Sequence, residues 1–216
     1  MPNNEELRLE ILSVVRRLEE KGFNHVSTGN VSCRDSEAVL ITPTGGNSDN
    51  LTPARVVRMD LDGRVDGPGV PSSEWHMHTS ILRAFPAANA VVHTHADACV
   101  ALSCLRKSIP AFHYMVAGFG GNDIRCARYA TFGTADLAAS AVDALQDRTA
   151  CLLANHGMIA MGKTLEAAFN MTVKLETLAR QYLLALQAGE PVLLPPEEME
   201  RVGQRYGNYG VGLLPG

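Results

Sequence analysis

The sequence predicts a single α/β domain over residues 1–216. Three observations point there. Short apolar strand-like runs alternate with amphipathic helical segments along the whole chain. No repeat, low-complexity tract or long linker divides it. Asp62-Gly63, between Val56–Leu61 and Arg64–Val65, reads as a two-residue hairpin turn, which argues against a purely parallel sheet.

Taken in order, Leu7, Ile11, Val14, Val15 and Leu18 fall at helical spacing, and Lys21-Gly22 closes that helix. Residues 23–50 are rich in Gly, Asn, Ser and Thr, with one strand expected over 38–42 and a turn at Pro43–Gly46. Pro71-Ser72-Ser73-Glu74 opens a helix running to about Phe85, with Ser72 or Ser73 as its cap. A strand follows over 89–95 and a short helix over 96–105. Residues 109–116 read as a strand, and 124–126 as another extended piece. Thr134 caps a helix to Leu145, 150–154 and 158–161 form partner strands, and 164–186 is the longest helix. A last helix covers 197–206.

Composition narrows the function. With 216 residues, 46% of them hydrophobic and 19% charged, the chain suits an ordinary soluble core. A net charge of −4 without any Lys/Arg cluster argues against a nucleic-acid partner. No apolar run reaches membrane-spanning length, and the start lacks a secretory pattern, so a cytoplasmic location is expected. Five scattered cysteines without a CxxC pair fit free thiols in a reducing compartment.

The chemistry centres on Val91-Val92-His93-Thr94-His95. On a strand, positions i and i+2 share a face, so His93 and His95 can reach one metal ion. His156, in a loop directly after a strand, is the best third ligand, and Glu74 the best carboxylate. His76 and His78 share the i, i+2 spacing but on a helix, where such positions diverge; they read as packing or supporting residues. An HxHxDH hydrolase signature would need histidine at position 98, which is alanine. Ser72-Ser73 at a helix start, with Gly29-Asn30 and Thr44-Gly45, could cradle a phosphate.

Together these motifs resemble the class II aldolase/adducin family, its fuculose-phosphate branch above all. The match is collinear: Ser27–Ser32, Leu40–Gly45, Pro71–Trp75, Ala90–His95, Ile109-Pro110 with His113-Tyr114-Met115, Tyr129–Thr134, His156-Gly157 and Tyr209-Gly210. The resemblance implies an α/β/α layered fold around a mainly antiparallel sheet, assembled as a homotetramer with sites at subunit interfaces. It implies Zn²⁺, with Mn²⁺ or Co²⁺ as other divalent options, on His93, His95, His156 and Glu74. It implies a substrate phosphate held by Gly29, Asn30, Thr44, Gly45, Ser72 and Ser73. Glu74 and Tyr114 would be catalytic, Tyr114 serving a neighbouring subunit; Ser27, Thr28, Phe132 and Tyr209 would shape the aldehyde side. The expected reaction is cleavage of a deoxy-ketose 1-phosphate of the L-fuculose 1-phosphate type to dihydroxyacetone phosphate and a small aldehyde. The alternative substrates are 5-deoxyribulose 1-phosphate and its 5-methylthio analogue. Pentulose-phosphate epimerases in the family carry aspartate where Glu74 stands. Methylthioribulose-phosphate dehydratases and metal-free adducin-like modules are further relatives.

Overall fold

The computed structural model describes residues 4–207. Its helices are α1 (Asn4–Glu20), α2 (Trp75–Ala84), α3 (Asp97–Cys104), α4 (Ala135–Ala144), α5 (Leu165–Ala188) and α6 (Pro196–Gly207). Its strands are β1 (Asn30–Asp35), β2 (Ala38–Ile41), β3 (Val57–Asp60), β4 (Val65–Asp66), β5 (Ala90–Thr94), β6 (Cys126–Ala127), β7 (Ala150–Leu153) and β8 (Gly157–Gly162). The eight strands form one sheet in the order β4-β3-β2-β1-β5-β8-β7-β6. Every pairing is antiparallel except β6 with β7. The expected mainly antiparallel α/β arrangement is what forms.

Strand alternation sorts the core into layers. Val91, Ile159, Cys151 and Leu153 face Met77, Ile81 and Leu82 of α2 and Leu137 and Ala141 of α4. On the opposite face, Val31, Leu40 and Val92 meet Ile11, Val15 and Leu18 of α1 and Phe169 of α5. Ala150, Leu152, Met158 and Ala160 pack against α3, α5 and α6. Because β5 and β8 are covered on both sides, both read as near-continuous apolar runs.

Local chemistry explains most boundaries. Helix α1 ends where Gly22 adopts φ +69° and the Gly22 and Phe23 amides return to Glu19 and Leu18. Thr134 and Thr164 accept hydrogen bonds from Leu137 and Ala167, starting α4 and α5.

Three expectations need correction. The β3–β4 hairpin has a three-residue loop, residues 61–63, because Asp60 pairs with Arg64 and Gly63 takes φ +90°. Neither Ser72 nor Ser73 caps α2. Glu74 holds the N-cap position, and the Ser72 hydroxyl accepts from the Glu74 amide at 3.3 Å instead. Residues 109–116 are not a strand. Ile109 makes a single bridge to Ile124, Pro110 donates no amide, and Tyr114–Phe119 winds into a 3₁₀ turn capped by His113. Their apolar side chains fill the core beneath α5 and α6 as a packed loop.

Candidate metal centre

The site forms where three chain segments meet at one end of the central strands. β5 carries His93, and its continuation past Thr94 carries His95. The turn between β7 and β8 supplies His156, and the N-cap position of α2 supplies Glu74. One donor atom from each of these four residues lies within 4.8 Å of all the others. His93 Nε2 is 3.0 Å from His95 Nε2 and 3.1 Å from Glu74 Oε2. His156 Nε2 stands 3.3 Å from Glu74 Oε1.

The backbone makes this convergence possible. The His156 amide donates to Ser103 Oγ and the Asn155 amide to the Ser103 carbonyl, tying the β7–β8 turn to α3. Asn155 sits at φ +52°, a conformation asparagine tolerates better than most residues. Gly157 follows because a Cβ there would lie 2.5 Å from the Thr94 carbonyl oxygen. Gly29, at φ +76°, is similarly constrained: a Cβ would strike the buried Asn24 amide at 2.3 Å.

The donors suit a divalent cation. His93 is fully buried, and its Nδ1 donates to the Met158 carbonyl at 2.8 Å, leaving the Nε2 lone pair for the site. Glu74 Oε1 is buried with no hydrogen-bond partner among the described residues. Burial pushes the His95 imidazole down to about 4, with His93 and His156 adding to the effect. His156 is also pushed down to about 4, by burial and by His93. Both are therefore neutral near pH 7, the form that ligates metal. Burial alone would raise Glu74. The His93 and His156 imidazoles and the Asn30 amide outweigh it and hold the carboxyl well below the usual range. Three convergent imidazole nitrogens and one ionised carboxylate fit a zinc-type site, imidazole also suiting other transition metals.

A cleft of about 310 Å³ opens over this cluster. Gly29, Asn30, Thr44, Gly45, Ser72 and Ser73 line it, as do Ser27, Thr28 and Phe132. All the residues expected to hold a phosphate are thus brought together, beside Glu74, His95 and His156. No lysine or arginine lines the cleft among the described residues. Tyr114 is elsewhere: it is 51% exposed and lines a separate groove with α5 and α6. Tyr209 lies outside the described residues. Asn155, Tyr129 and Ala130 also line the cleft; Tyr129 and Ala130 belong to the Tyr129–Thr134 motif, but none of the three was expected to have a site role. The Arg106 guanidinium donates to Asn155 Oδ1 at 2.7 Å and lies 5.6 Å from the Tyr129 ring centre. The Asn155-His156-Gly157 run directly after an apolar strand was the sequence signal available for Asn155.

Residues 9–183 match the class II aldolase and adducin N-terminal domain. The chain belongs to the class II aldolase/adducin family. It is 49% identical over 204 residues to a 5-methylthioribulose-1-phosphate/5-deoxyribulose-1-phosphate aldolase of Rhodospirillum rubrum, covering 94% of this chain and 92% of the relative. It is 42% identical over 206 residues to the L-fuculose phosphate aldolase of Escherichia coli K12, covering 95% and 96%. A solved L-fuculose 1-phosphate aldolase superposes with a TM-score of 0.90 at 38% identity, covering 93% of this chain and 96% of that one. The family places the chain among class II aldolases, which are lyases. No helix of the described residues is long and apolar enough to cross a membrane.

Proposed function

We propose that this protein is a zinc-dependent aldolase that cleaves 5-(methylthio)ribulose 1-phosphate or 5-deoxyribulose 1-phosphate to dihydroxyacetone phosphate and a small aldehyde. The observation that carries the reading is the Glu74–His93–His95–His156 cluster set beside a cleft of small polar groups. The sequence alone favours the L-fuculose 1-phosphate type. The higher identity to the methylthioribulose/deoxyribulose enzyme moves the alternative to first place.

His93, His95, His156 and Glu74 would hold the metal, as the neutral imidazoles and buried carboxylate suit it. Bound there, a divalent cation supplies Lewis acidity toward the carbonyl and hydroxyl oxygens of the ketose phosphate. Gly29, Asn30, Thr44, Gly45, Ser72 and Ser73 would receive the phosphate. Their role is that of a neutral cradle of hydroxyl and backbone groups, orienting the substrate without a cationic side chain. In the condensation direction, the Glu74 carboxylate removes a proton from the hydroxymethyl carbon beside the carbonyl of dihydroxyacetone phosphate. The electron pair left on that carbon forms the bond to the aldehyde carbon, and Tyr114 of a neighbouring subunit donates its proton to the aldehyde oxygen. Cleavage runs the same transfers in reverse. Ser27, Thr28 and Phe132 form the wall against which the aldehyde half would lie. Since Tyr114 stands outside its own chain's cleft, this reading requires an oligomer, for which a homotetramer is proposed.

The test is a side-by-side assay on 5-(methylthio)ribulose, 5-deoxyribulose and L-fuculose 1-phosphates. The expected result is EDTA-sensitive dihydroxyacetone phosphate release, fastest from a ribulose derivative. Fastest turnover of fuculose phosphate would restore the other order. No dihydroxyacetone phosphate from any of them would overturn the aldolase assignment.

A further inference from the structure

Behind the metal cluster lies a buried polar chain of which the proposed chemistry uses only the Asn30 end. Asn30 on β1 stands directly opposite His93 on β5. Its Nδ2 donates to Glu74 Oε2 at 3.0 Å. Its Oδ1 meets Nε2 of His78, and His78 Nδ1 lies 2.7 Å from the Ser32 hydroxyl. Ser32 shares the face of Asn30 two residues along the strand, and His78 is on α2 one turn after Glu74. Asn30 is 5% exposed, and Ser32 and His78 are fully buried.

The directions of these hydrogen bonds follow from one end. An ionised carboxylate only accepts, so the amide nitrogen of Asn30 must face Glu74. The amide oxygen then faces His78, whose Nε2 must carry the proton. The other ring nitrogen must accept, from the Ser32 hydroxyl. The chain therefore reads Ser32 O–H to His78 Nδ1, His78 Nε2–H to Asn30 Oδ1, and Asn30 Nδ2–H to Glu74 Oε2. Reversing the asparagine would set oxygen against oxygen at the carboxylate. His78 opposes the same reversal from the other end, through its Nε2–H.

We propose that His78 is a positioning residue, held as its Nε2–H tautomer between Ser32 and Asn30, that locks the Asn30 amide so that Glu74 keeps one fixed donor. Rotation of the Glu74 side chain about that donor lets one oxygen leave the cluster while the other stays oriented. Its catalytic consequence rests on the aldolase reading; the tautomer itself does not.

Two measurements decide it. In zinc-loaded protein with isotopically labelled histidine, nitrogen NMR should show His78 as a neutral Nε2–H ring, assigned by its absence in His78→Gln. An Nδ1–H ring would overturn the proposal whatever the activity. In kinetics, His78→Leu should lower kcat about 10–100-fold with KM little changed, while zinc content stays at one ion per chain. His78→Gln should recover most of kcat, since one amide supplies both the donor and the acceptor. Equal loss in the two variants, wild-type kcat in His78→Leu, or a loss confined to KM would overturn it. Should either variant fail to fold, the tautomer in the wild-type protein still decides. An Nε2–H ring in a protein inert toward all three ketose phosphates would retire the aldolase reading and leave the relay in place.

Discussion

Glu74 joins a cluster of imidazoles that lower its proton affinity to an amide that fixes its direction. Under the proposed reaction, Glu74→Gln should reduce kcat about 10²–10⁴-fold with an unchanged circular dichroism spectrum. Turnover within threefold of wild type would remove Glu74 from proton transfer. The histidines predict a pH dependence for the metal-free protein. His95 and His156 fall from 6.5 to about 4 on folding, so the unfolded chain binds their protons more tightly. His78, pushed down to about 3 by burial, acts in the same sense. Stability from these groups is complete above pH 6.5 and is lost as pH falls toward 4. Urea midpoints measured in chelator should decline across that window; a flat profile would contradict the buried neutral imidazoles. The same protons compete with metal, so metal retention should weaken in parallel. The four clustered residues were legible in sequence: strand alternation pairs His93 with His95, a loop after a strand marks His156, and a helix start marks Glu74. Ser32 was not: its neighbours look like a polar loop, and the partner of its buried hydroxyl, His78, comes from a distant helix.

At the scale of elements, the helix that follows His95 starts without help from its own segment. Ala96 holds its N-cap position, and no side chain there accepts the first amides. Glu176 of α5 does so instead, its two oxygens each 2.9 Å from the amides of Ala98 and Cys99. Glu176→Ala should therefore cost about 1–2 kcal/mol, a melting-point fall of roughly 2–8 °C for a chain of this size. No change in Tm would mean water replaces the carboxylate without loss. Such a cap, reaching from residue 176 to residue 98, leaves no local trace, and helices read from sequence carry only their local caps. The same limit explains β1, where polar residues satisfied by a distant helix hide a strand. It also explains residues 109–116, whose apolar side chains serve a packed loop.

Across the whole molecule, the layered sheet was legible from the alternation of apolar runs and helical periods, whereas the strand order was not. Nothing local sets β5 between β1 and β8. The exposed position of Tyr114 and its absence from the cleft carry a prediction about assembly. Tyr114→Phe and Glu74→Gln should each be nearly inactive alone. Refolded together, they should regain roughly a quarter of the wild-type sites if each site draws Tyr114 from a neighbour in a symmetric ring. No recovery in verified mixed oligomers would confine both groups to one chain. The clustered residues also span positions 74 to 156, from helix start to strand to turn. A cation gripping all of them would be a removable cross-link over a long stretch of chain, placed at the end of the sheet's central strands. Because the cleft opens onto Glu74, His95 and His156, a chelator can reach a bound cation directly, so demetallation should quicken with chelator concentration and should loosen the join between helix, strand and turn.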